Sequence, residues 1–400
     1  MKGDSSPIGR AIELHRAGRL AEAEATYVRL LQAAPGDADA LHFLGLLRLH
    51  QGRRPAAIEL VQRSLKLAPN NPHAWNSLGN LLMAEGDDSG AERAYTRATN
   101  LKPGFTEAWY NLGILWRRKR QPEEALKSFR RVLDSNPRFV KAYENLALLL
   151  YRMGRTDHTA DVYRKWLEVE PNNPIPRHMV AATSGQRVPE RADDRYVTKV
   201  FDDFAEYFDS SLARLDYAAP QILAAALAEH VDFAEGRLEV LDAGCGTGLC
   251  GPLLRSTAKT LVGVDLSPGM LAKARERELY DELVQAELVG FMESRPAGFD
   301  VVISADTLVY FGALEAAMAG AARCLRPAGV FAFTLESLPD DAAEGFRILE
   351  HGRYSHRADY VRGAIAAAGL AVVQIEPVVL RKERGDNVNG YAVLARAEPR

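Results

Sequence analysis

LEVLDAGCGTGLCG, residues Leu238 to Gly251, is an apolar run that breaks into a glycine-rich loop. Its first half reads as a buried strand, because the apolar residues are nearly continuous and end at glycine. The glycines of AGCGTGLCG let the backbone turn tightly at a helix N-terminus, so that N–H groups face an anionic or polar ligand. Asp265 ends the next apolar run, about 20 residues on, where a carboxylate can accept both hydroxyls of a ribose. On these features the ligand is an adenosine derivative of unspecified kind. Gly246, Gly248 and Gly251 also satisfy the dinucleotide fingerprint G-x-G-x-x-G, so a nicotinamide oxidoreductase stays open at this point.

Downstream, Thr260–Leu266, Asp300–Asp306 and Gly329–Glu336 read as further buried strands, with a weaker one over Glu282–Leu288. They alternate with helical stretches, which is the pattern of a parallel sheet wound with helices. AVVQIEPVVLRKE and NGYAVLARA, joined through RGDNV, predict an antiparallel hairpin that closes the sheet.

The string LDAGCGTG, then VDLSPGML, Glu287, FDVVISADTLVYF and LRPAGVFAF, in that order, resembles the class I S-adenosylmethionine-dependent methyltransferase family over roughly 200 residues. The SPGML string and the terminal hairpin have no place in the oxidoreductase reading. The resemblance implies a Rossmann-like domain over 195–400, S-adenosyl-L-methionine as methyl donor, S-adenosyl-L-homocysteine as product, and no metal. It implies that Gly244, Cys245 and Gly246 face the methionine moiety, that Asp265 holds the ribose, and that Leu266 and Met270 sandwich the adenine. Glu287, with Leu288 beside it, matches the acidic position that reaches the adenine amino group, although Asp is more usual there. Ala305 and Asp306 fall beside the sulfonium, and Asp242 braces the glycine loop. Tyr196–Pro220 corresponds to a lid, with Tyr207 and Phe208 as cofactor contacts.

A sulfonium is already a strong electrophile, so the protein chiefly has to align a nucleophile and exclude water. A base with a pKa near neutrality assists an amine or hydroxyl. Candidates are His356, Asp306 and Tyr310. EHGRYSHRADY lies between the fifth strand and the next helix, where relatives place substrate-binding elements. Arg353, Tyr354 and His356 are therefore the candidate acceptor contacts, with Arg353 suited to bidentate pairing with a carboxylate.

Upstream, Pro35, Pro69, Pro103, Pro137 and Pro171 recur every 34 residues, the mark of a repeat array. Twelve places before each proline stands a small residue (Ala23, Ala57, Ala91, Ala125, with Thr159 in the fifth), and eight before stands a large apolar one (Tyr27, Val61, Tyr95, Phe129, Tyr163). Turns fall at Gly18, Gly52, Gly86 and Gly154, with Arg120 in the fourth unit. LHFLG, WNSLG, WYNLG and YENLA place a large and a small residue four apart on one helical face, which permits close packing. This is similar to the tetratricopeptide repeat, in five units over 4–174. The resemblance implies an α-solenoid with a concave groove for an extended peptide. Asn76, Asn80, Tyr110, Asn111, Arg117, Asn145 and Tyr151 are its candidate lining residues, since amides can bond a peptide backbone without reading sequence. Residues 175–194 read as a capping helix and linker.

A 47% hydrophobic and 26% charged composition excludes a disordered chain. MKGDSSPIGR lacks a signal-peptide core and no apolar run reaches membrane-span length, so a cytoplasmic setting without membrane contact is expected. Cys245, Cys250 and Cys324 show no zinc or C-x-x-C spacing and read as buried thiols. Residues 1–190 carry 28 Lys+Arg against 21 Asp+Glu, and residues 191–400 carry 22 against 32. That asymmetry fits docking between halves better than nucleic-acid binding. The expected whole is a methyltransferase whose repeats recruit a protein or peptide. A small-molecule enzyme whose repeats serve assembly, and a repeat scaffold with a vestigial donor site, are the alternatives.

Overall fold

The computed structural model describes residues 6–185, 188–231, 236–383 and 385–398; Arg384 of the expected hairpin turn lies outside them. The chain divides into two compact units, Met1–Arg155 and Thr156–Arg400, so the division falls inside the fifth repeat rather than after it.

The first unit holds α1 (Pro7–Arg16), α2 (Leu20–Ala33), α3 (Ala38–His50), α4 (Arg54–Leu67), α5 (Pro72–Glu85), α6 (Asp88–Leu101), α7 (Thr106–Arg118), α8 (Pro122–Ser135) and α9 (Val140–Arg152). Local chemistry starts several of them. Asp37, Asn71 and Asp87 each accept from backbone N–H groups of the first helical turn, and Pro55, Pro72 and Pro122 fall where a helix needs no N–H donor. The small residues of the repeat serve close approach. A Cβ on Gly79 would lie 2.5 Å from the Tyr95 ring, and one on Gly113 2.7 Å from the Phe129 ring. Ala23, Ala57, Ala91 and Ala125 are fully buried, as are Tyr27, Val61, Tyr95 and Phe129. The repeat turns take left-handed backbone, at Gly18, Gly52, Gly86 and Gly154 and also at Arg120, whose φ is 56°.

A recurrent contact explains both the proline and the aromatic that follows it. Trp75 Nε1 donates to Pro69 O at 2.8 Å, Trp109 Nε1 to Pro103 O at 2.8 Å, and Tyr143 OH to Pro137 O at 3.0 Å. In the second unit Arg177 repeats it on Pro171 O at 2.8 Å, which places its helix in the same register as the helices that open each repeat.

The second unit begins with α10 (Thr156–Val169) and α11 (Pro174–Ser184), packed on each other. His178 on α11 shares a hydrogen bond through Nε2 with Gly352 O at 2.8 Å and stacks on Tyr196 at 3.9 Å. The helix after the repeats is thus built into the second unit, whose expected lid segment follows as α12 (Asp194–Phe204), a 3₁₀ turn and α13 (Phe208–Leu212). Next come α14 (Ala219–His230), β1 (Leu238–Ala243), α15 (Gly251–Leu254), β2 (Ala258–Asp265), α16 (Pro268–Glu276), β3 (Glu282–Gln285), α17 (Leu288–Ser294), β4 (Phe299–Ser304), α18 (Glu315–Cys324) and β5 (Leu325–Ser337). The last elements are β6 (Phe346–Ile348), β7 (Tyr354–His356), α19 (Ala358–Ala367), β8 (Leu370–Glu383) and β9 (Asp386–Ala397).

The parallel part of the sheet runs β3-β2-β1-β4-β5. β9 then pairs antiparallel with β5, and β8 with β9, which is the expected hairpin. Both faces are covered: Leu241, Val262 and Val302 join one apolar cluster, while Val240, Leu261, Val301 and Ile303 join the other. This is why the strands read as unbroken apolar runs.

Two expectations need correction. β3 stops at Gln285 rather than Leu288, because the Glu287 side chain accepts from Val289 and Gly290 N–H and starts α17 there. Tyr354 and His356 are not in a loop. They form β7, which pairs with the end of β5, and all three of its residues are buried, so no in-and-out alternation marked it.

Candidate active site

β1 delivers the chain into the glycine loop with φ of 80° at Gly244 and 53° at Gly246. A Cβ on Gly244 would run into the Thr307 side chain, so the loop and the turn after β4 touch at a spot only glycine allows. Gly244 and Cys245 N–H donate to Val264 O at 2.8 and 3.0 Å, tying the loop to β2. Asp265, at the end of β2, accepts from Gly246 N–H at 2.9 Å and Ser267 N–H at 2.8 Å. Burial pushes its pKa up and these N–H groups oppose the shift. Asp242 braces the strand from beneath, accepting from Tyr280 OH at 2.6 Å; burial lifts its carboxyl to about 7.

Above this loop is a cavity of about 320 Å³, in the size range of small-ligand sites. Gly244, Cys245, Gly246, Asp265, Leu266, Met270, Glu287, Leu288, Ala305, Asp306 and Tyr310 all line it, together with Phe208. Leu266, Met270 and Leu288 supply the apolar side next to Asp265. Glu287 is more constrained than its sequence position suggests. Besides capping α17, its carboxylate accepts from Arg191 Nη1 at 3.1 Å.

The lid covers the cavity with Val197, Val200, Phe201 and Phe204 from α12 and Phe208 from α13. Phe201 packs edge-on to Tyr310 with centroids 5.5 Å apart. Three carboxylates fasten the lid, among them Glu206, which pairs with Lys273 at 3.0 Å. Asp202 accepts from Ser267 Oγ at 2.5 Å and Gly269 N–H at 3.0 Å, and Asp209 accepts from Thr247 Oγ1 at 2.5 Å and pairs with Arg277. Tyr207, expected beside the cofactor, is 65% exposed and not among the lining residues, because the 3₁₀ turn between α12 and α13 carries it outward.

At the far end Asp306 sits in left-handed backbone, φ 54°, held by its N–H to Thr334 Oγ1 at 2.8 Å. Non-glycine residues in that region carry strain that clusters at functional sites. Its Oδ2 accepts from Arg381 Nη1 at 2.6 Å. Arg381 also pairs with Glu336 and donates through Nε to Glu383 Oε1 at 2.8 Å. Arg353 donates to Glu336 Oε1 through Nε and to Glu383 Oε1 through Nη2, both at 2.6 Å. Burial works against ionisation of Glu336, but Arg353, His351 and Arg381 hold its carboxyl below the ordinary value. Burial pushes the Asp306 carboxyl up, with Arg381 opposing. Burial and then the Arg353 charge push His351 down to about 4.

Of the expected acceptor residues, only Arg353 lines the cavity. Tyr354 is fully buried and its OH donates to Pro189 O at 2.8 Å. His356 is fully buried too, with Nε2 3.0 Å from Gly312 O, and burial pushes its ring down to about 4. Neither reaches a ligand, and His356 as a base is corrected to a structural imidazole.

Within the first unit, the expected groove residues meet one another. Asn111 Nδ2 donates to Asn76 Oδ1 at 3.1 Å and to Asn80 Oδ1 at 3.0 Å, Arg117 to Asn145 Oδ1 at 2.7 Å, and Asn145 Nδ2 to Tyr110 OH at 3.3 Å. His42 continues the ladder to Ser77 at 2.9 Å. Tyr151 belongs to α9 and is half-buried.

Sequence reasoning missed Arg381, Glu336, Glu383, Asp202, Asp209 and Tyr217. One signal was present: Arg381 and Glu383 stand two apart at the end of a predicted strand, a spacing that puts opposite charges on one face.

A methyltransferase-domain family model matches residues 241–333, and tetratricopeptide-repeat models match 8–72, 72–105 and 106–139. The malonyl-[acyl-carrier protein] O-methyltransferase of Geobacter sulfurreducens is 31% identical over 198 residues, covering 46% of this chain and 73% of the relative. The enzyme of the same name from Enterobacter lignolyticus is 35% identical over 121 residues, 30% of this chain; the chain spans 47% of that relative's length. A solved structure of the protein MamA covers 40% of this chain and 94% of its own, at 24% identity and a TM-score of 0.38. Among the described residues, no helix is long and apolar enough to cross a membrane, and no three His, Cys, Asp or Glu side chains are grouped so as to hold a metal ion.

Proposed function

Because this chain belongs to the class I methyltransferase family and carries tetratricopeptide repeats ahead of its methyltransferase domain, we propose that it uses S-adenosylmethionine to methylate an acceptor that the repeats recruit. The observation that carries the donor assignment is Asp265, fixed by Gly246 and Ser267 N–H groups at the rim of the cavity with an apolar slot of Leu266, Met270 and Leu288 beside it. Each Asp265 oxygen accepts one backbone N–H and keeps a lone pair, which suits a vicinal ribose diol.

S-adenosylmethionine, when bound, supplies a methyl group on a sulfonium that needs no further activation. The chain's own residues then do three things. Asp265 and the slot hold the nucleoside, Glu287 and Leu288 lie at its adenine end, and Gly244 to Gly246 leave room for the amino-acid end. Phe201, Phe204 and Phe208 exclude water, which strengthens every charge interaction inside. Asp306 stands at the acceptor end as the carboxylate that can hold or take a proton, and Tyr310 lies beside it.

Calorimetry with S-adenosylhomocysteine and with NAD tests the donor. Tight S-adenosylhomocysteine binding is expected, and NAD binding in its place would overturn the assignment. The same measurement separates an enzyme from a scaffold with a vestigial site. Labelling a cell lysate with methyl-labelled S-adenosylmethionine and the purified protein tests recruitment: label in macromolecules is expected. Label confined to small metabolites would favour the second reading, an enzyme of small molecules with repeats for assembly. The amides joined from Asn76 and Asn80 to Asn111, on residues expected to line the repeat groove, support the first reading.

A further inference from the structure

The acceptor end of the cavity is short of positive charge. Three carboxylates, Asp306, Glu336 and Glu383, face two guanidiniums, Arg353 and Arg381. His351, the remaining basic group against Glu336, is neutral near pH 7, because burial and the Arg353 charge push it down to about 4. Neither guanidinium is free for an anion: Arg353 is held by two of the carboxylates and Arg381 by all three.

Asp306 faces the cavity with one oxygen on Arg381, while its Oδ1 has only a long contact, 3.4 Å from Thr334 Oγ1. Phe201, Leu212, Leu215, Tyr217 and Tyr310, apolar or aromatic in their bodies, line the same cavity. A carboxylate acceptor would bring one more negative charge into a low-dielectric end already in excess. An ammonium would supply the missing charge, bond Asp306 and lie against aromatic faces.

Resting on the donor site proposed above, we infer that the methyl acceptor is an amine on an apolar stem, bound as its ammonium against Asp306. Asp306 Oδ1 takes one ammonium proton. The freed lone pair on nitrogen forms the N–C bond as the C–S bond breaks, and the electron pair of that bond stays on sulfur, leaving a methylammonium and a neutral thioether. Burial, which raises the Asp306 pKa, favours the proton transfer. The same chemistry is offered by a free alkylamine and by a lysine side chain of a recruited peptide.

Full-length protein is first titrated with S-adenosylhomocysteine and then, saturated with it, with n-butylammonium, Nα-acetyl-lysine methylamide and butyrate. The two amines are expected to bind on the order of 10-fold or more tighter than butyrate, the worth of one charge-assisted hydrogen bond. Whichever amine binds more tightly identifies its source. Label transferred from S-adenosylmethionine is expected to withstand mild base, which removes methyl esters. Asp306→Asn is expected to abolish the preference for amines, while the comparison on the unaltered protein stands without that variant. Butyrate binding as well as the amines, or no binding by either amine, would overturn the inference. Failure of S-adenosylhomocysteine to bind would overturn the donor reading instead.

Discussion

Arg381 Nη1 lies 2.6 Å from Asp306 Oδ2, joining the C-terminal hairpin to the turn that follows β4. The hairpin therefore does more than close the sheet: it reaches the far end of the cavity with a guanidinium that also holds Glu336 and Glu383.

Replacing Arg381 by Met leaves Asp306, Glu336 and Glu383 with too little countercharge in a buried setting. Arg381 is 3% exposed, so solvent does little to screen the loss. Unfolding free energy is expected to fall by ~3–5 kcal/mol, the range for removing one partner of a buried ion pair. Arg381→Lys keeps the charge without the planar fork and should fall in between. Urea denaturation of both variants measures this, and an unchanged midpoint for Arg381→Met would contradict the network.

Asp265→Ala removes the proposed ribose acceptor and the tie to Gly246 N–H. Affinity for S-adenosylhomocysteine is expected to drop by about 10- to 100-fold, from charged hydrogen bonds worth ~1.5–3 kcal/mol. Calorimetry gives the number, and native affinity in this variant would remove Asp265 from the site.

His356→Gln keeps an N–H donor for Gly312 O and eliminates the titrating ring. The pH profile of methyl transfer is expected to be unaltered, as befits a residue outside the cavity. The ring's pKa is pushed from 6.5 down to about 4 by burial, so the folded state binds fewer protons than the unfolded state between those values. Its stabilising share is complete above about pH 6.5 and is lost on acidification toward pH 4. Chemical denaturation at pH 7 and pH 5 should show a smaller acid-induced loss in the variant. A shifted rate profile would restore His356 as a base.

Asp242 has the opposite sign. Its carboxyl rises from 3.8 to about 7, through burial first, so the folded state holds a proton that the unfolded state has released. This contribution is complete below about pH 3.8 and fades as pH climbs through 7, with a slope of roughly 1.4 kcal/mol per pH unit at most. Asp242→Asn, still able to accept from Tyr280 OH, is expected to gain stability relative to the parent between pH 5 and pH 8. Equal pH dependence of the two proteins in urea would exclude a neutral Asp242.

Arg120 adopts the left-handed backbone that glycine takes in the other four repeat turns, and its side chain is exposed. Arg120→Gly relieves a strain of ~1–2 kcal/mol and gives back part of it as unfolded-chain entropy. A net gain of about 0.5–1 kcal/mol is expected in thermal or urea unfolding, and a loss would mean the turn is held by side-chain contacts of Arg120.

The repeat was legible because each of its signals is local in sequence. Trp75, Gly79 and Tyr95 act within one unit, Pro69 stands only six residues before Trp75, and the pattern recurs. The proposed donor side was legible for a similar reason: Gly244 and Gly246 follow β1 directly, Asp265 ends β2, and parallel pairing of the two strands brings them together. The proposed acceptor side was legible only in part: Asp306 and Arg353 stood out in the sequence, but their pairing through Arg381 and Glu336 joins segments far apart in the chain and belongs to no local pattern. His356 and Tyr354 misled because a histidine and a tyrosine in a polar stretch look available until β7 is seen pairing with the edge of β5. Tyr207 misled because one extra turn of 3₁₀ helix rotates it away from a cavity that its neighbour Phe208 lines.

Periodicity and glycine placement by themselves determined a repeat solenoid followed by a wound parallel sheet with a glycine-rich loop after its first strand, since backbone geometry and apolar patterning are properties of neighbouring residues. Which charges face one another at the far end of the cavity was decided only by the tertiary structure. A buried ion-pair network depends on distances between segments far apart in the chain, and those distances exist only once the sheet is assembled.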